Sequence, residues 1–146
     1  MQKLNLKIIT PERIIYDGQV QSVILPTLDG QVGILANHIP YMAPLRADEL
    51  IIHQEGDAKN PEDTVSLAID FGLAEFVDNQ LLVLVAQASS AEEIDLQMAE
   101  QARARAQEVM SQDVDQEEYS NALALFERES AKIKVAHKYR LKRGLA

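Results

Sequence analysis

Chemistry would be sought first among the three histidines and one stretch crowded with glycine and proline. Residues 27–45 read TLDGQVGILANHIPYMAPL and hold Asp29, Gly30, Gly33, His38, Pro40 and Pro44. A histidine acting as general base needs an orienting acid and a substrate within hydrogen-bond reach. Asp29 and Asp48 are the candidate carboxylates, both on turn-like segments where solvated acids are common. His53 alternates into a strand and His137 falls on a helical stripe, so neither is spaced to form a metal set with His38. Ser22, Ser66, Ser89 and Ser90 lack the strand–turn–helix setting that exposes a nucleophile. Gly30 and Gly33 sit among alternating β residues with no Gly-Lys-Ser/Thr behind them, which is hairpin geometry and not a phosphate cradle. A hydrolase built on His38 and Asp29 lacks its second partner. No catalytic residue and no metal site are expected, and the stretch reads as a rigid contact loop stiffened by Pro40 and Pro44.

Composition narrows the classes further. Apolar residues at 47% and charged residues at 25% suit a folded domain. Cysteine is absent, which removes disulfides and thiolate chemistry together. The opening MQKLNLKII alternates like a strand and does not resemble a signal peptide, and no apolar run approaches the ~18 residues of a membrane span, so direct membrane insertion is not expected. The net charge of −9 is uneven. Residues 131–146 carry Lys132, Lys134, Lys138, Arg140, Lys142 and Arg143 with no acid, which leaves −15 on residues 1–130. Such an acidic body opposes nucleic-acid binding. The basic end suits an acidic partner surface or, read alone, a solvated terminus that complements its helix dipole.

Two periodicities divide the chain. Leu4, Leu6 and Ile8 alternate with polar residues, and further β runs are expected at 13–16, 20–25, 32–35, 50–53, 65–69, 73–77 and 81–85. Asp17-Gly18, Asp29-Gly30 and Asp78-Asn79-Gln80 read as hairpin turns, and 54–63 as a polar loop. After Ser89-Ser90 the period becomes helical. Ala99, Ala102, Ala106, Val109 and Met110 share one face, with Ser90 or Asp95 as the cap. A break at 111–114 precedes Asp115-x-x-Glu118, a second helix start, and Tyr119, Leu123, Phe126, Ser130, Ile133 and His137 form its stripe. The expected fold is α+β: a β-sandwich domain over 1–88 and an antiparallel two-helix hairpin over 89–146.

The segment from Asp29 to Pro40 has the pattern DGxxGILxxHxP, and it resembles the epsilon subunit family of F-type ATP synthases. Thr10–Arg13, Tyr16–Gly18, Val20–Pro26, Asp70–Phe76 and Ala91–Asp95 extend the similarity in register along the chain. The resemblance implies a non-catalytic rotor part. Its sandwich, of about ten strands, binds the γ subunit and the top of the membrane c-ring, here through Asp29, Gln31, Val32, His38, Pro40, Tyr41 and Met42. It helps couple c-ring rotation to ATP synthesis in the catalytic head. Its hairpin moves between folded and extended forms, the latter inhibiting ATP hydrolysis through contact of Lys132, Lys134, Lys138 and Arg140 with the acidic loop of β, beside α. The implied location is peripheral, on the cytoplasmic face of a bacterial plasma membrane. Some family members bind ATP through Ile/Leu-Asp-x-x-Arg-Ala, for which this chain offers Ile94, Asp95 and Ala99 with Arg105 and Arg128. Met98 stands at the arginine position and cannot pair with phosphate, so no cofactor is required and Asp95 reads as a plain helix cap. The competing class is a stand-alone ligand-binding sandwich with an oligomerising hairpin.

Overall fold

The fold is described from a computed structural model over residues 2–56 and 60–144. Residues 57–59, within the expected loop, and 145–146 lie outside the described residues. Ten strands come first: β1 Leu4–Ile9, β2 Ile14–Val20, β3 Ser22–Thr27, β4 Gly30–Leu35, β5 Tyr41–Leu45, β6 Asp48–His53, β7 Thr64–Ile69, β8 Gly72–Val77, β9 Gln80–Val85 and β10 Ala88–Ser90. Two helices follow, α1 Leu96–Met110 and α2 Gln116–Lys142. The expected α+β sandwich with a helical hairpin is what forms.

The strands bond in the order β10-β7-β6-β3-β5-β8-β9-β1-β2, with β4 added to β3. Every pairing is antiparallel except β1 with β9. The ladder between β3 and β5 is the single pair Thr27–Leu45. There the ribbon divides into two facing layers, one ending in β4 and β10, the other in β5 and β2. Period-2 alternation then sends Leu4, Leu6, Ile8, Leu25, Leu50, Ile52, Phe76 and Leu81 into one shared core.

Three local expectations change. Asp17-Gly18 is not a turn: it lies inside β2, opposite Lys7 and Leu6 of β1. Its glycine needs no left-handed conformation there, so pairing along β1 overrides the dipeptide signal. The chain crosses between layers at Gln21 instead, where its amide donates to the His53 carbonyl at 2.9 Å. Residues 41–45, expected as a stiff exit loop, form β5, whose ladder partner over most of its length is β8 alone. Pro44 is tolerated because an edge strand leaves one row of amides unneeded. The short β10, paired with β7, was not anticipated.

The helices cap as their sequence allows. Asp95 accepts from the Met98 amide at 3.1 Å and Asp115 from the Glu118 amide at 2.8 Å. Ser90 ends β10 and caps nothing with its side chain. α2 is gripped from two sides, by α1 and by the outer face of β6 and β7. Its buried face is therefore wider than the expected stripe: Ala122, Glu129, Ala131, Ile133, Val135 and Ala136 are covered, while Tyr119 and His137 are exposed. The seam to the sheet is small-residue packing of Ala131 and Val135 on Ala68, flanked by Ala91 and Ile94. Such a seam contributes only about 2–3 kcal/mol.

Candidate functional site

β3 and β4 turn through Leu28 and Asp29. The Thr27 hydroxyl donates to the Gly30 carbonyl (2.6 Å) and accepts from the Asp29 amide (3.2 Å). Gly30 has φ of 120°, a conformation that requires glycine. Asp29 and Gln31 are exposed, and Val32 is half-buried against the core. β4 then carries the chain roughly 20 Å to the other end of the sandwich. There Asn37, at φ 63°, donates its amide to the Asn79 side chain at 2.9 Å. His38 places Nδ1 2.7 Å from the Ile39 carbonyl, and its ring meets Tyr41 and Phe76 edge-on with centroids 5.9 Å apart. Asp29 and His38 thus stand at opposite ends and cannot form an acid–base pair. His53 is buried, with no hydrogen bond to Nε2 among the described residues, and His137 lies 3.8 Å from Glu100 on α1. The expected contact residues fall into two groups, Asp29–Gln31–Val32 at one end and His38–Pro40–Tyr41–Met42 at the other.

Between the two groups lies a surface the sequence did not single out, reached from Met42 at one side and from the first group at the other, where the Leu28 amide donates to the Pro44 carbonyl at 3.3 Å. Pro44, Leu73, Leu84 and Ile9 lie directly opposite one another across β5, β8, β9 and β1. Pro44, Leu73 and Leu84 are exposed, as are Met42 (60%) and Ile39 (74%). The hairpin packs on β6 and β7, so among the described residues it leaves this apolar outer face exposed. Leu73 and Leu84 point outward because their chain neighbours Ala74, Val83 and Val85 fill the core, but in the all-apolar run 81–85 the sequence alone does not say which side faces in.

The basic arm lies along an acidic shelf. Arg128 Nη1 is 3.4 Å from Asp70 Oδ2, Lys134 Nζ is 3.0 Å from Asp48 Oδ1, and Lys138 Nζ is 3.0 Å from Glu49 Oε2. Lys142 donates to the Thr64 carbonyl at 2.7 Å. The roughly 21 Å of helix from Arg128 to Lys142 matches the roughly 20 Å of strand from Asp70 back to Thr64, so α2 runs antiparallel along β7. Lys132 pairs with Glu129 on its own helix at 3.3 Å, and Arg140 is exposed. Three of the cations assigned to the arm, with Arg128, are therefore held inside this chain.

Burial raises the Asp48 carboxyl, but the Glu49 amide, Lys134 and Arg46 outweigh it and leave its pKa below the ordinary 3.8. A carboxyl lowered by folding stabilises the fold above its unfolded value, and that share is lost as pH falls through the folded value. The difference in thermal midpoint between the wild-type chain and Asp48→Asn should be full near neutrality and close below pH 3.8. Calorimetry across this range checks it; a constant difference would mean Asp48 acts through shape alone.

Ile94, Asp95, Met98, Ala99 and Arg105 line a cavity of about 470 Å³ between the helices. Arg128 is not among them, being turned to Asp70. Glu93, Asp95 and Glu129 face the cavity against Arg105 and Lys132, a negative balance that disfavours polyphosphate. Among the described residues no three His, Asp or Glu side chains cluster as a metal set.

The beta-sandwich domain of the ATP synthase delta/epsilon chain matches residues 3–91. This chain belongs to the ATP synthase epsilon-chain family. The ATP synthase epsilon chain of Syntrophobacter fumaroxidans is 34% identical over 94% of this chain and 98% of its own length. The chloroplastic epsilon chain of Cyanidioschyzon merolae is 39% identical over 75% and 79%. In fold, the chain is similar to one in the Euglena gracilis mitochondrial ATP synthase OSCP/F1/c-ring structure, with a TM-score of 0.77, 21% identity, and 92% and 81% of the two chains covered. As an epsilon chain it carries both parts of that architecture, the sandwich and the hairpin.

Proposed function

We propose that this epsilon chain is a non-catalytic part of the ATP synthase rotor. Its sandwich docks on the γ subunit and the c-ring, transmitting ring rotation toward ATP synthesis in the head. Its hairpin, when it leaves the sandwich, inhibits ATP hydrolysis by presenting Lys132, Lys134, Lys138 and Arg140 to an acidic loop of β. The observation that carries the docking half is the exposed apolar face of Met42, Pro44, Leu73 and Leu84, which runs along β5 from the His38 loop to the Asp29 turn. Contiguous exposed apolar surface rimmed by polar residues is characteristic of a protein interface. The assembly named for the Tetrahymena thermophila chain of similar fold, a central stalk with c-ring, supports the same reading. Asp29 and Gln31 belong to the turn at the Pro44 end of this face, where the Leu28 amide donates to the Pro44 carbonyl at 3.3 Å, and in this reading they extend the contact toward the second partner. Among the described residues no helix is long and apolar enough to cross a membrane, which suits peripheral attachment at the cytoplasmic face. Met98 and the acidic lining of the interhelical cavity argue for a hairpin that works without ATP.

Capture of purified γ by the tagged chain tests docking. Met42→Asp with Leu84→Asp should weaken γ binding by roughly tenfold or more, since charge in an apolar interface centre leaves it unpaired. Both positions are exposed, so the fold should survive. A wild-type chain that forms a stable homodimer and ignores γ would overturn the proposal.

A further inference from the structure

Whatever the hairpin meets when extended, it must first leave Asp48, Glu49 and Asp70. These three are unusual for a sheet surface. Glu49 is 4% exposed and Asp70 7% exposed, yet each faces a cation on α2 and not one on its own domain. Glu49 Oε2 is also buried without a hydrogen bond. Lys138 Nζ approaches it to 3.0 Å, but outside hydrogen-bond alignment. That contact is charge against charge. Arg46 shares Asp48 with Lys134, and the Asp70 and Asp48 carboxylates each hold a neighbouring backbone amide, Phe71 at 2.8 Å and Glu49 at 2.7 Å. Those amides fix the acids in place before the helix arrives. The cations, by contrast, are half in water: Lys134 is 51% and Lys138 47% exposed. A rigid acidic shelf opposite loosely held cations, over a seam of alanines, makes docking electrostatic and reversible.

We infer that Asp48, Glu49 and Asp70 form an intramolecular acidic site that competes with acidic partner surfaces for the same α2 cations. The inference rests on the reading that the hairpin moves. Lys134 and Lys138 cannot serve the shelf and a partner at once. The shelf therefore sets what fraction of the chain has a free arm, and neutralising it raises that fraction without touching the arm's own charge. Salt acts in the same direction, because half-exposed pairs are screened.

The chain has no cysteine, so Gln19→Cys and Ser120→Cys, both exposed, give one spin label on the sandwich and one near the hairpin tip. Pulsed dipolar spectroscopy on the full chain then reads folded and extended distances directly. Asp70→Asn and Glu49→Gln should each raise the extended-to-folded ratio about tenfold, the loss expected for one partner of a buried pair whose other member regains water. Moving from about 0.02 M to about 0.5 M KCl, which shortens the screening length from about 20 Å to about 4 Å, should shift it the same way. Asp70→Arg combined with Arg128→Asp should restore the folded distance, and Lys7→Gln should leave it unchanged. Distances unmoved by both the neutral variants and salt would overturn the acidic site. If the variants release the hairpin but ATP hydrolysis by the assembled complex stays constant, the acidic site stands and the inhibitory reading falls.

Discussion

Deleting residues 91–146 is expected to raise ATP hydrolysis by the assembled complex severalfold while the truncated chain stays bound. Two features make the deletion interpretable. The main core is built from residues 4–88, with Leu4, Leu25, Ile52, Phe76 and Val85 all inside the sandwich, so the helices can go without opening it. The proposed γ face, with Met42, Leu73 and Leu84, is on the layer opposite the β6–β7 surface where the hairpin packs. What the deletion uncovers is the Ala68 seam and the acidic shelf, and carboxylates returned to water are stable there. Steady-state hydrolysis should be measured alongside a gel that shows the truncated chain in the complex. Unchanged hydrolysis with incorporation demonstrated would end the inhibitory reading.

The point variants sharpen this. Neutralising Lys134 or Lys138 weakens the folded contact and the proposed extended contact together, so the two effects oppose each other in hydrolysis. Neutralising Glu49 or Asp70 acts on the folded form alone. The carboxylates, not the lysines, are therefore the residues whose charge reports the balance between the two forms.

Much of this was legible from residue order. Strict alternation at Leu4–Ile8 specified a strand and its inward face, because one buried face fixes a period of two, whereas the all-apolar run Leu81–Val85 specified a strand without saying which side faces in. The break at Ser111–Val114 and the carboxylate Asp115 placed the second helix start, and Asp95 was one of two caps open for the first, since capping is a local transaction between a side chain and nearby amides. What was illegible depended on partners distant in sequence. Asp17-Gly18 has the composition of a turn, and only β1 pairing makes it strand. Tyr41–Leu45, with Pro44, becomes a strand because its ladder partner over most of its length is β8 alone. The six-cation end was visible as charge, but nothing in the spacing of Lys134 and Lys138 says that their nearest acids are 86 and 89 positions upstream. The apolar row across β5, β8, β9 and β1 is likewise a product of register, and each of its members looks ordinary alone.

Gly72→Ala should be severely damaging to the sandwich, although Gly72 sits in a strand without a left-handed backbone. The reason is space. A Cβ added there would lie 2.1 Å from the Leu84 carbonyl oxygen, 2.7 Å from Val85 Cγ1 and 2.9 Å from Val85 Cα. Two of those three atoms are backbone, so no rotamer change relieves the clash. Gly72 pairs with Leu45 on one side and Val85 on the other, which means that any shift moves the junction of the two layers as well as the β8–β9 ladder. Overpacking against side chains costs about 1–3 kcal/mol, and against immobile backbone about 3 kcal/mol or more. That is a large part of the 5–15 kcal/mol typical of a domain. Gly33→Ala is the matched comparison: it too is a strand glycine, but no atom lies within 4 Å of its added Cβ. Urea denaturation should show a large drop in midpoint for Gly72→Ala and a change within about 0.5 kcal/mol for Gly33→Ala. Because Asp70 and Phe71 lead into β8 and Leu73 follows Gly72, the same displacement should weaken both the Arg128 ion pair and the apolar outer face. Gly72→Ala should therefore lose γ capture and release the hairpin together, whereas the shelf variants release the hairpin alone. A Gly72→Ala chain that unfolds at the wild-type midpoint would show that β9 can yield at Leu84, and that the two layers are less tightly joined than their register implies.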